Sequence, residues 1–264
     1  MNRFEGIDFI HPEAEVQPLY GQGRFAEVAS LKLPENLKGK YNFGWIVKVY
    51  REPYLESGEA DAAEAVKSLK NRREFLKYYF QELPNFVVDS QYVMGGSADS
   101  PTIYEFQEEI SPRLSFDQGL SLNDICVAQL FNDLNEQQQE AAQVRNQRFS
   151  KAWANFDRNR RLNLRRQLTT LVELLNEMPN WRPVQEGSEQ FREFEHHVID
   201  LHGLDNILVD QQGNLRLVDT NFLFDLENPT RLMNDKASLE NYQLDIDMVK
   251  FALRKVISEL DKIE

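Results

Sequence analysis

Along the first hundred residues the apolar pattern changes from strand spacing to helix spacing and back only once, and this limits the fold more than any single motif. Runs from Val16 to Tyr20, Ala26 to Leu33, Phe43 to Tyr50, Phe86 to Met94 and Thr102 to Gln107 read as strands punctuated by Gly, Pro or Asn. Between the third and fourth, Val66, Leu69, Phe75, Leu76, Tyr79 and Phe80 fall at helical spacing, which predicts a helix from about Glu59 to Leu83 that ends at Pro84. A mostly antiparallel sheet carrying one helix is the α+β solution to such a pattern. From Ser121 to Met178 strand signals give way to helical ones. Ser121 opens a segment resembling a capping box, and Leu164, Leu168, Leu171, Leu174 and Leu175 line one side of a helix from Leu162 to Met178. A final amphipathic segment runs from Ile246 to Ile263, with Met248, Phe251, Ala252, Val256 and Leu260 as its apolar side.

The chemistry concentrates between Val198 and Asn221. Ile207-Leu208-Val209 and Leu215-Arg216-Leu217-Val218 are apolar runs separated by Asp210-Gln211-Gln212-Gly213-Asn214, so they predict a hairpin. Asp200, Asn206 and Asp219 then stand at its ends. An Asn and an Asp can offer hard oxygen ligands to Mg²⁺, and a further carboxylate can accept a hydroxyl proton.

A second cluster lies near the N-terminus. Gly21-Gln22-Gly23-Arg24-Phe25-Ala26-Glu27-Val28 joins the first two predicted strands, where a Gly turn lets backbone N–H groups approach a phosphate. A ligand-free turn fits the glycines equally well. A strand follows rather than a helix, and no Gly-Lys-Ser/Thr follows, so it is neither a dinucleotide fingerprint nor a Walker A loop. Lys48 is a lone cation in the apolar strand Trp45 to Tyr50. It alternates with Val47 and Val49, so it points away from them: in a strand beside the Gly turn it would face whatever that turn covers, and a strand with one face to solvent is the other reading. A buried lysine needs a charged partner, and Glu74 on the following helix is the best placed, with Glu64 as the fallback.

In this order the residues resemble the protein-kinase-like superfamily. Gly21-x-Gly23-x-Phe25-Ala26-x-Val28 is similar to the glycine-rich loop, Ile46-Val47-Lys48 to the strand bearing the ATP-anchoring lysine, and Glu74 to its helix partner. Asn206 to Asp210 and Val218 to Asn221 are similar to the catalytic-loop asparagine and the metal-binding aspartate, at a separation usual for that family. The resemblance spans about Leu19 to Asp225. It implies a bilobal fold: a nucleotide-covering lobe over residues 1–109, with an antiparallel sheet and one helix, and a mainly helical lobe over 110–264. It further implies that Lys48 holds ATP phosphates, Asn206 and Asp219 hold Mg²⁺, and Asp200 deprotonates a hydroxyl acceptor. Main-chain groups near Phe106 to Glu108, in the hinge-like stretch Tyr104 to Glu109, would meet adenine.

The departures from the family pattern are specific. Val198-Ile199 stands where His-Arg is usual, which removes the arginine that receives a phosphorylated activation loop. Asp200 precedes Asn206 by one residue more than is usual, which leaves Asp205 as an alternative base. His202 is similar to the Asp-x-His pattern of atypical members such as aminoglycoside- and choline-type small-molecule kinases; an ordinary loop histidine is the other reading. Ala26 replaces the last loop glycine, and Thr220-Asn221 stands where Phe-Gly is usual. The stretch after Asp219 is short for a peptide-docking lobe, so the acceptor site is expected from Ser111 to Phe194. The expected reaction is transfer of the γ-phosphate of ATP to a hydroxyl of a small molecule or protein. The alternatives are a pseudokinase regulating a partner protein, or transfer of another part of ATP such as AMP.

Composition narrows the partners. With 30 basic against 43 acidic residues the formal net charge is −13, which argues against nucleic acid. Arg158, Arg160, Arg161, Arg165 and Arg166 read as the solvated face of a helix. The single Cys126 reads as a buried thiol. No segment approaches the roughly 20 apolar residues that span a bilayer, and the opening residues lack the apolar run of a signal peptide. A cytoplasmic protein without a membrane partner is expected, and an exported effector would read the same way.

Overall fold

A computed structural model describes residues 15–22, 26–32, 45–50, 62–97, 100–110, 120–121, 153–176, 189–194, 197–199, 206–220 and 222–225, with scattered helical positions between 139 and 151 and between 246 and 258. The single change of period appears in it as one helix among five strands: β1 (Glu15–Gln22), β2 (Ala26–Lys32), β3 (Trp45–Tyr50), α1 (Ala62–Tyr79), β4 (Ser90–Ser97) and β5 (Ser100–Glu108). The strands form one antiparallel sheet in the order β1-β2-β3-β5-β4. The chain divides into two compact units. One comprises Met1–Glu74 with Val88–Ile110, the other Phe75–Val87 with Ser111–Glu264.

In the first unit, side-chain alternation gives the central strands two buried faces. Ala29, Val47, Val49, Tyr104 and Phe106 are buried on one face. On the other, Ala26, Tyr50 and Ile103 pack with Ala62, Ala65, Val66 and Leu69 of α1. Those helix positions recur at the spacing that places them on a single stripe. Glu64 in the first turn and Lys77 in the last suit the helix dipole.

Helix α1 stops at Tyr79 rather than Leu83. The Phe80 N–H still donates to the Leu76 carbonyl at 2.9 Å, but tighter turns follow, with Leu83 N–H on Phe80 O and Phe86 N–H on Leu83 O. Pro84 supplies no donor for a helix, and Asn85 adopts a left-handed φ of 58°. The strand expected from Phe86 therefore begins only at Ser90. Phe86 and Val87 pair instead with Leu217, as a carbonyl acceptor and a parallel bridge respectively.

The second unit gathers one apolar core. Phe75, Leu76, Tyr79 and Phe80 from the end of α1 join Leu164, Leu168, Leu171, Leu174 and Leu175 of α2 (Arg158–Asn176), with Ile207, Val209, Leu215 and Leu217. α2 starts four residues before the sequence pattern suggests. Asp157 caps it, its Oδ1 accepting from Arg160 N–H at 2.9 Å. Arg158 and Arg166 are exposed, and the Arg161 guanidinium lies 4.8 Å over the Trp153 ring, so the basic run is a helix face as expected. The C-terminal helical positions correct the expected apolar side. Ile246, Val249 and Leu253 are buried in the core, whereas Phe251 is 52 % exposed under the Lys255 ammonium. That segment carries two apolar stripes, and its periodicity cannot say which one meets the core.

Short strands complete this unit: β6 (Leu120–Ser121), β7 (His197–Ile199), β8 (Ile207–Val209), β9 (Leu215–Leu217) and β10 (Phe222–Asp225). They form the sheets β6-β8-β9 and β7-β10. Ser121, expected to open a helix, is the end of β6; positions 122–138, including Cys126, lie outside the described residues. Antiparallel sheet and helices together make the molecule α+β. Among the described residues no helix is long and apolar enough to cross a membrane.

Candidate active site

The predicted hairpin forms, with Ile207 opposite Leu217 and Val209 opposite Leu215. Its turn is built around Asp210, whose Oδ1 accepts the N–H groups of Gln212 and Asn214, each at 2.9 Å. Gly213 takes a φ of 79°, and a Cβ added there would meet the Arg160 carbonyl oxygen at 2.6 Å. Both the backbone angle and the close approach to α2 require glycine. Asn214 Oδ1 accepts from Asn163 Nδ2 at 2.7 Å and Gln167 Nε2 at 2.8 Å, and the Gln167 Oε1 accepts the Leu215 N–H at 2.8 Å. The hairpin is thus fastened to α2 through a buried glutamine with both amide ends engaged.

At its open end the hairpin carries the candidate metal ligands. The Val218 N–H donates to the Asn206 carbonyl at 2.8 Å, so Asn206 and Asp219 stand on neighbouring chain segments, both half-buried. Beyond them, Ile199 of β7 pairs with Phe222 of β10. These two pairings bracket the stretch that holds Asp200 on one chain segment and Asp219 on the other. Asp200 itself, with His202 and Asp205, lies outside the described residues. An amide oxygen and a carboxylate are the hard donors that Mg²⁺ takes when phosphate oxygens and water complete its shell.

The first unit holds a buried polar cluster centred on Glu105, a fully buried carboxylate on β5. Lys48, at 8 % exposure, lies directly opposite Glu105 in the β3–β5 register and opposite Val28 in the β2–β3 register. Opposed residues of an antiparallel ladder share a face, so Val28, Lys48 and Glu105 form one row facing α1. Glu105 pairs with Arg73 and accepts from Tyr50, from Ser90 at 2.6 Å and from Gln107 at 2.7 Å, with the Tyr92 hydroxyl at 3.4 Å. Arg73 also donates to the Val88 carbonyl and to Tyr92. Burial alone would raise the Glu105 pKa; Lys48, then Arg73, Ser90 and Tyr50 outweigh it and hold it at about 2.

The other expected residues fall as follows. Gly21 lies within β1, and Gly23 and Phe25 lie outside the described residues. Glu74, the expected partner of Lys48, is on the exposed side of α1, and its neighbour Arg73 turns in to the sheet, as the turn of about 100° per residue on a helix allows. Phe106, expected to offer hinge main-chain groups, is inside β5, opposite Val47 on one side and Gln91 on the other. Its backbone belongs to the ladder. Glu108 ends the strand opposite Trp45.

Sequence reasoning does not single out Glu105 and Arg73, although one signal is there. Tyr104-Glu105-Phe106-Gln107 alternates polar and apolar in the same way as Val47-Lys48-Val49, and two such strands bury opposite charges when they pair.

No protein-family model matches the chain, and no curated protein matches it. Among solved structures it is similar to one described as the structure of the microcompartment-associated aminopropanol kinase, with a TM-score of 0.40 and 12 % identity over 97 % of this chain and 93 % of that one.

Proposed function

We propose that the protein is an ATP- and Mg²⁺-dependent phosphotransferase of bilobal, protein-kinase-like fold that moves the γ-phosphate to a hydroxyl of a small molecule or protein. The observation that carries this reading is the bracketed pair of segments. The pairings of Ile199 with Phe222 and of Asn206 with Val218 enclose the stretches that carry Asp200 and Asp219, with Asn206 at their junction. Asp200, Asn206 and Asp219 carry the kinds of group needed to hold phosphate-bound metal and to act as a general base.

In this reading each residue has a distinct task. Lys48, on a central strand, supports the nucleotide phosphates as a fixed cation. Val28, next to it in the ladder, and the Gly21 to Phe25 turn cover the nucleotide. The Asn206 amide oxygen and the Asp219 carboxylate hold Mg²⁺, which when bound neutralises charge on the transferring phosphoryl group. Asp200 orients the acceptor hydroxyl and takes its proton. With the Phe106 backbone engaged in the sheet, adenine is met by main-chain groups at the end of β5, from Glu108 onward. The His202 pattern favours a small-molecule acceptor.

The test is thermal unfolding of the purified protein with and without Mg²⁺-ATP, followed by ADP release and product mass. The expected result is a rise in Tm with Mg²⁺-ATP and slow turnover that Asp219→Ala reduces by roughly a hundredfold or more, the scale of losing charge stabilisation in a transition state. Neither a Tm shift nor turnover would sink the reading. Binding without turnover would make the protein a nucleotide-binding regulator, and an added mass of AMP would change the group transferred.

A further inference from the structure

We infer that Glu105 of β5, rather than a carboxylate on helix α1, is the residue that positions Lys48 toward the nucleotide phosphates. The inference rests on the phosphotransferase reading for its nucleotide, but the strand partners behind it, Lys48 and Glu105, belong to the first unit alone.

Three observations carry it. Lys48 and Glu105 are direct partners in the β3–β5 ladder, so their side chains leave the sheet on the same face as near neighbours. Glu105 is completely buried and held from several directions: Tyr50 from β3, Ser90 and Tyr92 from β4, Gln107 from its own strand and Arg73 from α1. It therefore has little freedom to move relative to the sheet. The helix side facing this row presents a cation, Arg73, at 3 % exposure, and Glu74 lies on the exposed side. The charges are arranged with the anion on the strand and the cation on the helix.

A functional consequence follows. Where a helix supplies the carboxylate, sliding the helix breaks the ion pair and switches the enzyme off, as control of the αC helix does in protein kinases. Here both residues sit opposite one another on neighbouring strands, so their approach is set when the sheet forms. The lysine is set for phosphate without an activating helix movement.

The experiment is a double-mutant cycle with Lys48→Met and Glu105→Gln, alone and together, reading the Kd of Mg²⁺-ATP by calorimetry and the urea unfolding midpoint. Glu105→Asp serves as the second variant if Glu105→Gln fails to fold. The expected result is that the Glu105 change weakens nucleotide binding by tenfold or more when Lys48 is present and by less than twofold when it is Met. An equal loss in both backgrounds would reduce Glu105 to a structural role. A loss from Glu74→Gln as large as that from Glu105→Gln would return the pairing to the helix. Should the wild-type protein bind no nucleotide, the phosphotransferase reading fails separately, and the urea midpoints decide the pairing: additive midpoint shifts in the cycle would overturn it.

Discussion

Among the described charged residues Glu105 is the most deeply buried, and its titration should be visible in folding. Its pKa of about 2 lies below the ordinary 4.5, so the unfolded chain binds the proton more readily than the folded one. The stability it contributes is present above about pH 4.5 and lost as pH falls toward 2, an effect on the order of 3 kcal/mol for one group. Urea titrations at pH 6, 4 and 3 should show this loss, and Glu105→Gln should flatten it while lowering stability at neutral pH. An acid slope unchanged in that variant would mean that other carboxylates dominate. The partners that hold the pKa down come from two strands and a helix, so a single side chain reports on whether β3, β4, β5 and α1 are assembled together.

Among the elements, the hairpin β8–β9 has the most specific local requirements. Gly213→Ala combines a positive φ with a collision against the Arg160 carbonyl, so a loss of roughly 2–4 kcal/mol is expected from the strain and displaced backbone. Asn214→Ala should cost about 1–3 kcal/mol, because it leaves the buried Gln167 amide without its acceptor. A Tm within a degree of wild type for either variant would count against the fastening described. How much of this is legible in the sequence differs by element. Hairpin strands and turn are readable because alternation and turn chemistry act locally, and Asp210, Gly213 and Asn214 all belong to that turn. What the turn is fastened to is not, since Asn163 and Gln167 read as polar positions among the others of an amphipathic helix. The pairing of Lys48 with Glu105 is hidden for a related reason. It depends on β5 inserting between β3 and β4, which is a choice of sheet order and leaves no trace in spacing along the chain. Sequence spacing points to Glu74 on the helix, whereas the helix residue that reaches Glu105 is Arg73, one position earlier, since a one-residue step turns a helix side chain by about 100°.

At the scale of the whole molecule, the core of the second unit ties together segments far apart in sequence, from Phe75 to Leu253. Leu253→Ala should lower stability by about 2–5 kcal/mol through loss of a fully buried side chain, and Phe251→Ser by roughly 0.5 kcal/mol or less from an exposed one. The reverse ranking would show that the other apolar stripe of that segment meets the core. The same unit also bears on what variation the segment carrying Asp200 tolerates. Positions 200–205 are entered from a paired strand and left through another, with Ile199 held by Phe222 and Asn206 by Val218. Between such fixed ends, changing the segment by a single residue alters closure entropy by only a few tenths of a kcal/mol. On the phosphotransferase reading, the residue by which this segment exceeds the usual family spacing is then nearly neutral for folding and bears on the acceptor instead. Deleting Gly203 should leave Tm close to wild type and change acceptor preference instead, so that the length of this segment acts as a substrate-range dial separate from the stability of the fold.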